Sequence, residues 1–260
     1  MRSTKRLTQP RLKQELQAAS ALDADATPGV GIQGDQADKK TLDLKQAMEL
    51  QMQAFDLLRT DLLVPLISRD EAERSEALLL PAFLTEADIA QLDEAAKGLA
   101  EESRGGESVL TSTHYSNTHH AINLHHGGYF AFCWPALCNK IIRGMSCQPG
   151  RWCPEDVKLH LRCVEMHTYE IGDGLMTFGH RDYGSALTLS VLLSHEHDLQ
   201  GGDFMTWREG RSVVHRMARG DAILFHSEKM HNVAPITRGQ RRSLVVELWT
   251  KSVNLKDRYT

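Results

Sequence analysis

Four side chains in this 260-residue chain have the types and spacing to do chemistry together: His180, Asp182, His231 and Arg241. In an extended segment successive side chains alternate faces, so in His180-Arg181-Asp182 the imidazole and the carboxylate point the same way and Arg181 points opposite. His231, about fifty residues further on, must reach the same point from another strand. Two His and one carboxylate on one face of a metal leave the opposite positions open, an arrangement that suits non-haem Fe(II) and O₂ chemistry. Arg241 opens Arg241-Arg242-Ser243-Leu244-Val245-Val246-Glu247-Leu248-Trp249, an apolar run that reads as a buried strand. A guanidinium at the mouth of such a strand is a ready fork for a dicarboxylate.

Further matches share this order and spacing. They are Tyr169, Gly201-Gly202-Asp203-Phe204, Gly220-Asp221-Ala222-Ile223-Leu224-Phe225, His231-Asn232-Val233 and Gly239-Gln240-Arg241-Arg242-Ser243-Leu244, spread over roughly the last third of the chain. Together with His180-Arg181-Asp182 this segment resembles the prolyl 4-hydroxylase-like branch of the 2-oxoglutarate- and Fe(II)-dependent dioxygenases. The resemblance implies that His180, Asp182 and His231 hold Fe(II), and that 2-oxoglutarate chelates the iron while Arg241 pairs with its distal carboxylate. It also implies that O₂ is consumed with release of succinate and CO₂, and that ascorbate serves as reductant. Tyr169, eleven residues before His180, is similar to the tyrosine that lines the cosubstrate pocket in this family. The chain departs from the family where a second Tyr is common on the strand after the His-x-Asp loop. Here Val191-Leu192-Leu193 stands instead, and Thr188 is expected to supply the missing hydroxyl.

Other assignments compete. His195-Glu196-His197 is another same-face pair, but it falls in a connection and no further ligand follows at family spacing. His226 shares a loop with His231, yet only His231 is followed by Asn-Val and then by an arginine at the expected distance. Arg242 is the alternative to Arg241, and alternation puts the two on opposite faces. His180-Arg181-Asp182 also occurs in protein kinases, where Asn should stand five residues after the Asp; Leu187 stands there, and no Gly-rich loop or Asp-Phe-Gly is present.

The elements that must position these groups follow from patterning. Leu159 to Tyr169, Ala186 to Leu193, Asp203 to Trp207, Ser212 to Met217, Asp221 to Phe225 and Ser243 to Trp249 are short strand-like runs separated by Gly, Asp and Ser turns. Upstream, Ser68-Arg69-Asp70-Glu71 has capping-box form and should start a short helix ending before Pro81, and Thr85 begins a helix with Ile89, Leu92, Ala96 and Leu99 on one face. Trp134-Pro135 begins another, running through Cys138, Ile141 and Ile142 to Gly144. The expected fold is α+β with a mainly β core: a double-stranded β-helix (jelly-roll) with flanking N-terminal helices. Residues 106–128 are rich in His (His114, His119, His120, His125, His126). Histidine clusters can bind zinc or nickel. With turn-forming neighbours and no fixed Cys or carboxylate partners, the expectation is a surface loop or a flap facing the substrate.

The domain plan is a disordered polar tail over 1–40, a helical extension over 41–77, the catalytic domain over 78–250 with its iron-binding core over 160–250, and a tail over 251–260. The stripe Leu44, Met48, Phe55, Leu58 and Leu62 packs on the protein's own core or recruits a partner. Net charge is −4 with pI near 6.3, which gives no global basic field for nucleic acid. Five Cys with no Cys-x-x-Cys pair favour reduced thiols over a disulfide framework or zinc site. No apolar run approaches the roughly 20 residues of a membrane helix. An intracellular, cytoplasmic setting is expected, with the basic stretch Met1 to Lys13 leaving organelle targeting open. The substrate is a peptide or protein, with a prolyl-type residue first in line, or a small molecule; the reading from another class is a non-catalytic jelly-roll binding module.

Overall fold

The computed structural model describes residues 66–102, 111–114, 117–148, 152–153, 157–175 and 179–255. The tail expected over 1–40 and the helical stripe that follows it lie outside the described residues. All described residues fall within one compact unit.

In chain order the helices are α1 (Arg69–Arg74), α2 (Glu86–Glu102), α3 (Tyr129–Cys133) and α4 (Pro135–Ser146). The strands are β1 (Leu78–Leu80), β2 (Thr111–His114), β3 (Asn117–Asn123), β4 (His160–Tyr169), β5 (Leu187–Leu192), β6 (Gln200–Gly201), β7 (Phe204–Arg208), β8 (Arg211–His215), β9 (Ala222–His226), β10 (His231–Val233), β11 (Ile236–Arg238) and β12 (Arg241–Trp249).

The capping residues set the helix starts. Ser68 Oγ accepts from the Glu71 N–H at 3.3 Å, and Glu71 Oε2 accepts from the Ser68 N–H at 2.9 Å. Thr85 and Asp88 make the same reciprocal pair, at 3.2 and 2.8 Å, before α2. α4 begins with Pro135 and buries Leu137, Cys138, Ile141 and Met145.

Seven strands make one antiparallel sheet in the order β1-β9-β5-β12-β4-β3-β2. Smaller sheets, β10-β7-β8 and β11-β6, form the other wall. The chain passes back and forth between them: β4 in the large sheet, residues 171–175 bridged to β10 and β11, β5 in the large sheet, β6 to β8 opposite, β9 in the large sheet, β10 and β11 opposite, and β12 in the large sheet. That winding is the double-stranded β-helix expected from the strand pattern.

The large sheet is covered on both faces. Its outer face packs Leu187, Leu189, Val191, Leu224, Leu244 and Val246 against Ile89 and Leu92 of α2 and Leu137, Ile141 and Met145 of α4. Its inner face meets the smaller sheets in a second cluster, Tyr169, Ile223 and Phe225 against Phe204, Val233 and Ile236. This two-faced burial is why β5 is buried at every position, Thr188 and Ser190 of its inner face included.

Two expectations need correction. Residues 111–114 and 117–123 are paired strands, not a loop: β2 pairs with β3, and β3 extends the large sheet beside β4. Their Thr, Ser, His and Asn give no apolar period, so their pairing was invisible to hydropathy. The helix from the Ser68 cap ends at Arg74, and Leu78–Leu80 is an edge strand on β9. Among the described residues, no helix is long and apolar enough to cross a membrane.

Candidate metal centre

His180, Asp182 and His231 converge, with all their ligand atoms within 4.8 Å of one another. His180 Nε2 lies 3.4 Å from Asp182 Oδ1, and His231 Nε2 lies 3.5 Å from Asp182 Oδ2. The two imidazole rings stand 4.8 Å apart at 79°. The convergence does not come from strand alternation, because residues 180–182 lie in a loop before β5. Backbone hydrogen bonds set it instead. The Asp182 N–H donates to the Ser227 carbonyl at 3.0 Å, and the His231 N–H donates to the His180 carbonyl at 3.1 Å.

The groups behind the ligands fix how each presents itself. A carbonyl can only accept, so the 3.2 Å contact between His231 Nδ1 and the Lys229 carbonyl makes Nδ1 the donor and leaves the Nε2 lone pair turned toward Asp182. Thr188, expected as a substitute hydroxyl for the cosubstrate, instead donates to Asp182 Oδ2 at 3.0 Å and shares a 2.9 Å contact with Ser227 Oγ. Phe204 and Phe225 wall the His231 ring at 5.8 and 4.7 Å. Asp182 and His231 are buried, whereas the His180 side chain remains 25% exposed, which leaves one side of the cluster open. Two neutral imidazole nitrogens and a carboxylate form a donor set that suits Fe(II), and the dry wall on one side with the opening on the other suits a cation with free positions.

Arg241 lies at the other end of the inner face. Thr188 pairs with Glu247 and Leu192 with Ser243, so the ligand end and the arginine end are four residues apart on β5, roughly 13 Å. The Arg241 Nη1 donates to Ser243 Oγ at 2.8 Å, back toward the metal ligands, and the guanidinium lies 5.6 Å from the Tyr169 ring centre. No carboxylate of the described residues pairs with Arg241, which is only 1% exposed. Burial pushes its pKa below the usual arginine range, an effect that Tyr169 opposes. Gly202 closes over it with φ +68°; a Cβ there would sit 2.5 Å from Ile236 Cδ1 and 3.0 Å from Arg241 Cδ. Arg241 also walls a cavity of about 630 Å³ with Leu192, Gly202, Phe204, His215 and Met217, which none of the three candidate metal ligands lines. Arg242 takes the opposite face, as alternation requires, and its guanidinium contacts Asp93 of α2.

His195, Glu196 and His197 also bring three ligand atoms within 4.8 Å, but all three residues are exposed on a short turn. Burial and supporting contacts separate this group from the His180 cluster. Residues that sequence reasoning passed over line the inner face of β4. His167 Nε2 lies 2.9 Å from Glu165 Oε2, and His167 Nδ1 lies 3.3 Å from the Tyr169 hydroxyl. His119 of β3 stacks on Tyr169 at 4.9 Å. The signal was present in Glu165-x-His167-x-Tyr169, three polar side chains at the two-residue period of a strand.

No protein-family model matches the chain. A PKHD-type hydroxylase from Psychrobacter sp. (strain PRwf-1) is 31% identical over 71 residues, which is 27% of this chain and 27% of that relative's length. Among solved structures, an oxidoreductase of the 2OG-Fe(II) oxygenase family from Burkholderia pseudomallei aligns with TM-score 0.48 at 14% identity, covering 69% of this chain and 87% of its own. A Pseudomonas putida prolyl-4-hydroxylase aligns with TM-score 0.47 at 16% identity, covering 70% and 97%.

Proposed function

We propose that the chain is an Fe(II)- and 2-oxoglutarate-dependent hydroxylase. The observation that carries this reading is one buried inner face with a 2-His-1-carboxylate cluster toward one end and, toward the other, a buried arginine with no carboxylate partner among the described residues. His180, Asp182 and His231 would hold the iron, and Arg241, with Tyr169 beside it, would take the distal carboxylate of 2-oxoglutarate. When bound, iron with 2-oxoglutarate and O₂ supplies oxidative decarboxylation to succinate and CO₂ and insertion of one oxygen atom into a substrate C–H bond. The protein orients Asp182 through Thr188, holds His231 in one tautomer through Lys229, and keeps water from the far side with Phe204 and Phe225. Ascorbate would be the external reductant.

The substrate in this reading is a peptidyl residue of prolyl type, reached from the open side at His180. The catalytic domain spans 78–250, its iron-binding core spans 160–250, and α1 buttresses it from the extension before. Five free cysteines suit a reducing, intracellular setting.

Anaerobic titration with Fe(II) and then 2-oxoglutarate tests the site directly. The weak visible charge-transfer band of the chelate should appear in the wild type and be absent in His180→Ala and Asp182→Ala. Retention of the band and of succinate release in both variants would remove these residues from the centre. Prolyl peptides should gain the mass of one oxygen atom; failure across such peptides, with uncoupled succinate release intact, would move the substrate to a small molecule.

A further inference from the structure

We propose that Glu165 and His167 are positioning residues for the Tyr169 hydroxyl, setting it beside Arg241 so that phenol and guanidinium receive one carboxylate together. The inference rests on the reading of this cavity as a 2-oxoglutarate site. Glu165, His167 and Tyr169 occupy alternate positions of β4 and share its inner face, and all three are at least nine-tenths buried. Burying a carboxylate, an imidazole and a phenol in one row is costly unless each is held by the next. The row ends where Arg241 begins: Tyr169 is the register partner of Arg241, and His167 is the register partner of Ser243, which accepts the Arg241 Nη1 hydrogen bond.

The direction of the hydrogen bonds follows from what each atom can do. An ionised Glu165 only accepts, so its 2.9 Å contact requires a proton on His167 Nε2. His167 Nδ1 then has two states. Without a proton it accepts from the Tyr169 hydroxyl, which leaves the phenol oxygen's lone pairs as the face shown to the cavity. With a proton it donates to that oxygen, and the Tyr169 O–H turns outward as a donor. An incoming carboxylate only accepts, so it fits the second state. Occupation of the site by a carboxylate therefore favours the state with a proton on His167 Nδ1, an imidazolium beside Glu165.

The groups facing His167 agree with this assignment. Glu165 and Tyr169 flank it on β4, and the His119 ring of β3 lies tilted against it at 4.6 Å. Ser243 lies opposite on β12 with Arg241 beyond, while the smaller sheets present Phe204, Val233 and Ile236, all apolar. Glu165 is thus the carboxylate within hydrogen-bond distance that can balance an imidazolium at this position.

Calorimetry of 2-oxoglutarate binding to the full chain loaded with Mn(II), under anaerobic conditions and in two buffers of different ionisation heat, reads both affinity and proton uptake. Wild type should take up a proton on binding. Glu165→Gln should weaken binding roughly tenfold and lose the proton uptake. Tyr169→Phe should weaken it by a similar factor, and the double variant should be little worse than either single one, because both break the same line. Equal affinity and equal proton uptake in wild type and Glu165→Gln would overturn the inference, as would fully additive losses in the double variant. Tight binding to wild type alongside either result spares the functional reading, whereas no binding to wild type overturns that reading and this inference with it.

Discussion

Glu73 Oε1 lies 2.6 Å from Arg181 Nη1, which ties α1 to the residue between two of the candidate metal ligands. The same carboxylate oxygen accepts from the Met230 N–H at 3.4 Å, next to the third ligand. Lys229 completes the clasp: its buried Nζ donates to the carbonyls of Ala72, Glu73 and Ser75 at 3.0, 3.0 and 2.7 Å, while its own carbonyl accepts from His231 Nδ1. Glu73→Gln should leave the fold intact and weaken metal binding about fivefold, the equivalent of about 1 kcal/mol. Co(II) titration followed by its visible absorption reads this; wild-type affinity in the variant would mean that α1 does not hold the ligand loops.

Thr188 is buried and gives its hydroxyl proton to Asp182. Thr188→Val keeps shape and removes that donor, so metal affinity should fall roughly tenfold, as when other supports behind a ligand are removed. Stability without metal should drop by about 1 kcal/mol in urea unfolding. Unchanged metal affinity would reassign the hydroxyl to packing alone.

Arg241 is a buried cation with no carboxylate partner among the described residues. Replacing such a charge by an apolar chain of similar volume is often neutral or stabilising. Arg241→Met should therefore melt no lower than wild type without ligand, but 2-oxoglutarate should no longer raise its Tm. Arg241→Lys should bind 2-oxoglutarate poorly too, since a point charge does not reproduce the bidentate fork. A ligand-induced Tm rise in Arg241→Met equal to that of wild type would place the carboxylate elsewhere.

His226 is buried against Trp152, with ring centres 4.8 Å apart. Burial, reinforced by Lys229, pushes its pKa from 6.5 down to about 4. The unfolded chain binds this proton below about 6.5, while the folded chain refuses it until about 4. Stability should accordingly fall as pH drops through that window, by up to roughly 3 kcal/mol, and level off below it. His226→Phe keeps the stack and should flatten the slope; an identical pH dependence in the variant would assign the loss to other groups.

The candidate site was legible where chemistry and spacing coincide. His180, Asp182, His231 and Arg241 stand out because their types are rare in apolar runs and their order is distinctive. Their supports were not legible, for physical reasons. Glu73 meets Arg181 across more than a hundred residues, and nothing local marks such a contact. Glu165 and His167 look in sequence like the solvent face of a strand, and they became an interior pair only because β3 and β12 flank β4 and the smaller sheets cover it. The His-x-Asp geometry was anticipated for the wrong reason, since a loop pinned to Ser227, not a pleat, aims the two side chains. Core strands were read from their β-branched runs, whereas the His-rich strand pair lacked any apolar rhythm.

The neighbours Arg241 and Arg242 point to opposite sides of β12, one into the barrel and one onto α2. Because the pleat repeats every two residues, inserting or deleting a single residue near Gly239 would trade their places. The cavity would then lose its proposed anion receptor and gain no equivalent, since Gly202 and Ser243 pack against the Arg241 side chain. This turn should therefore tolerate changes of residue far better than changes of length.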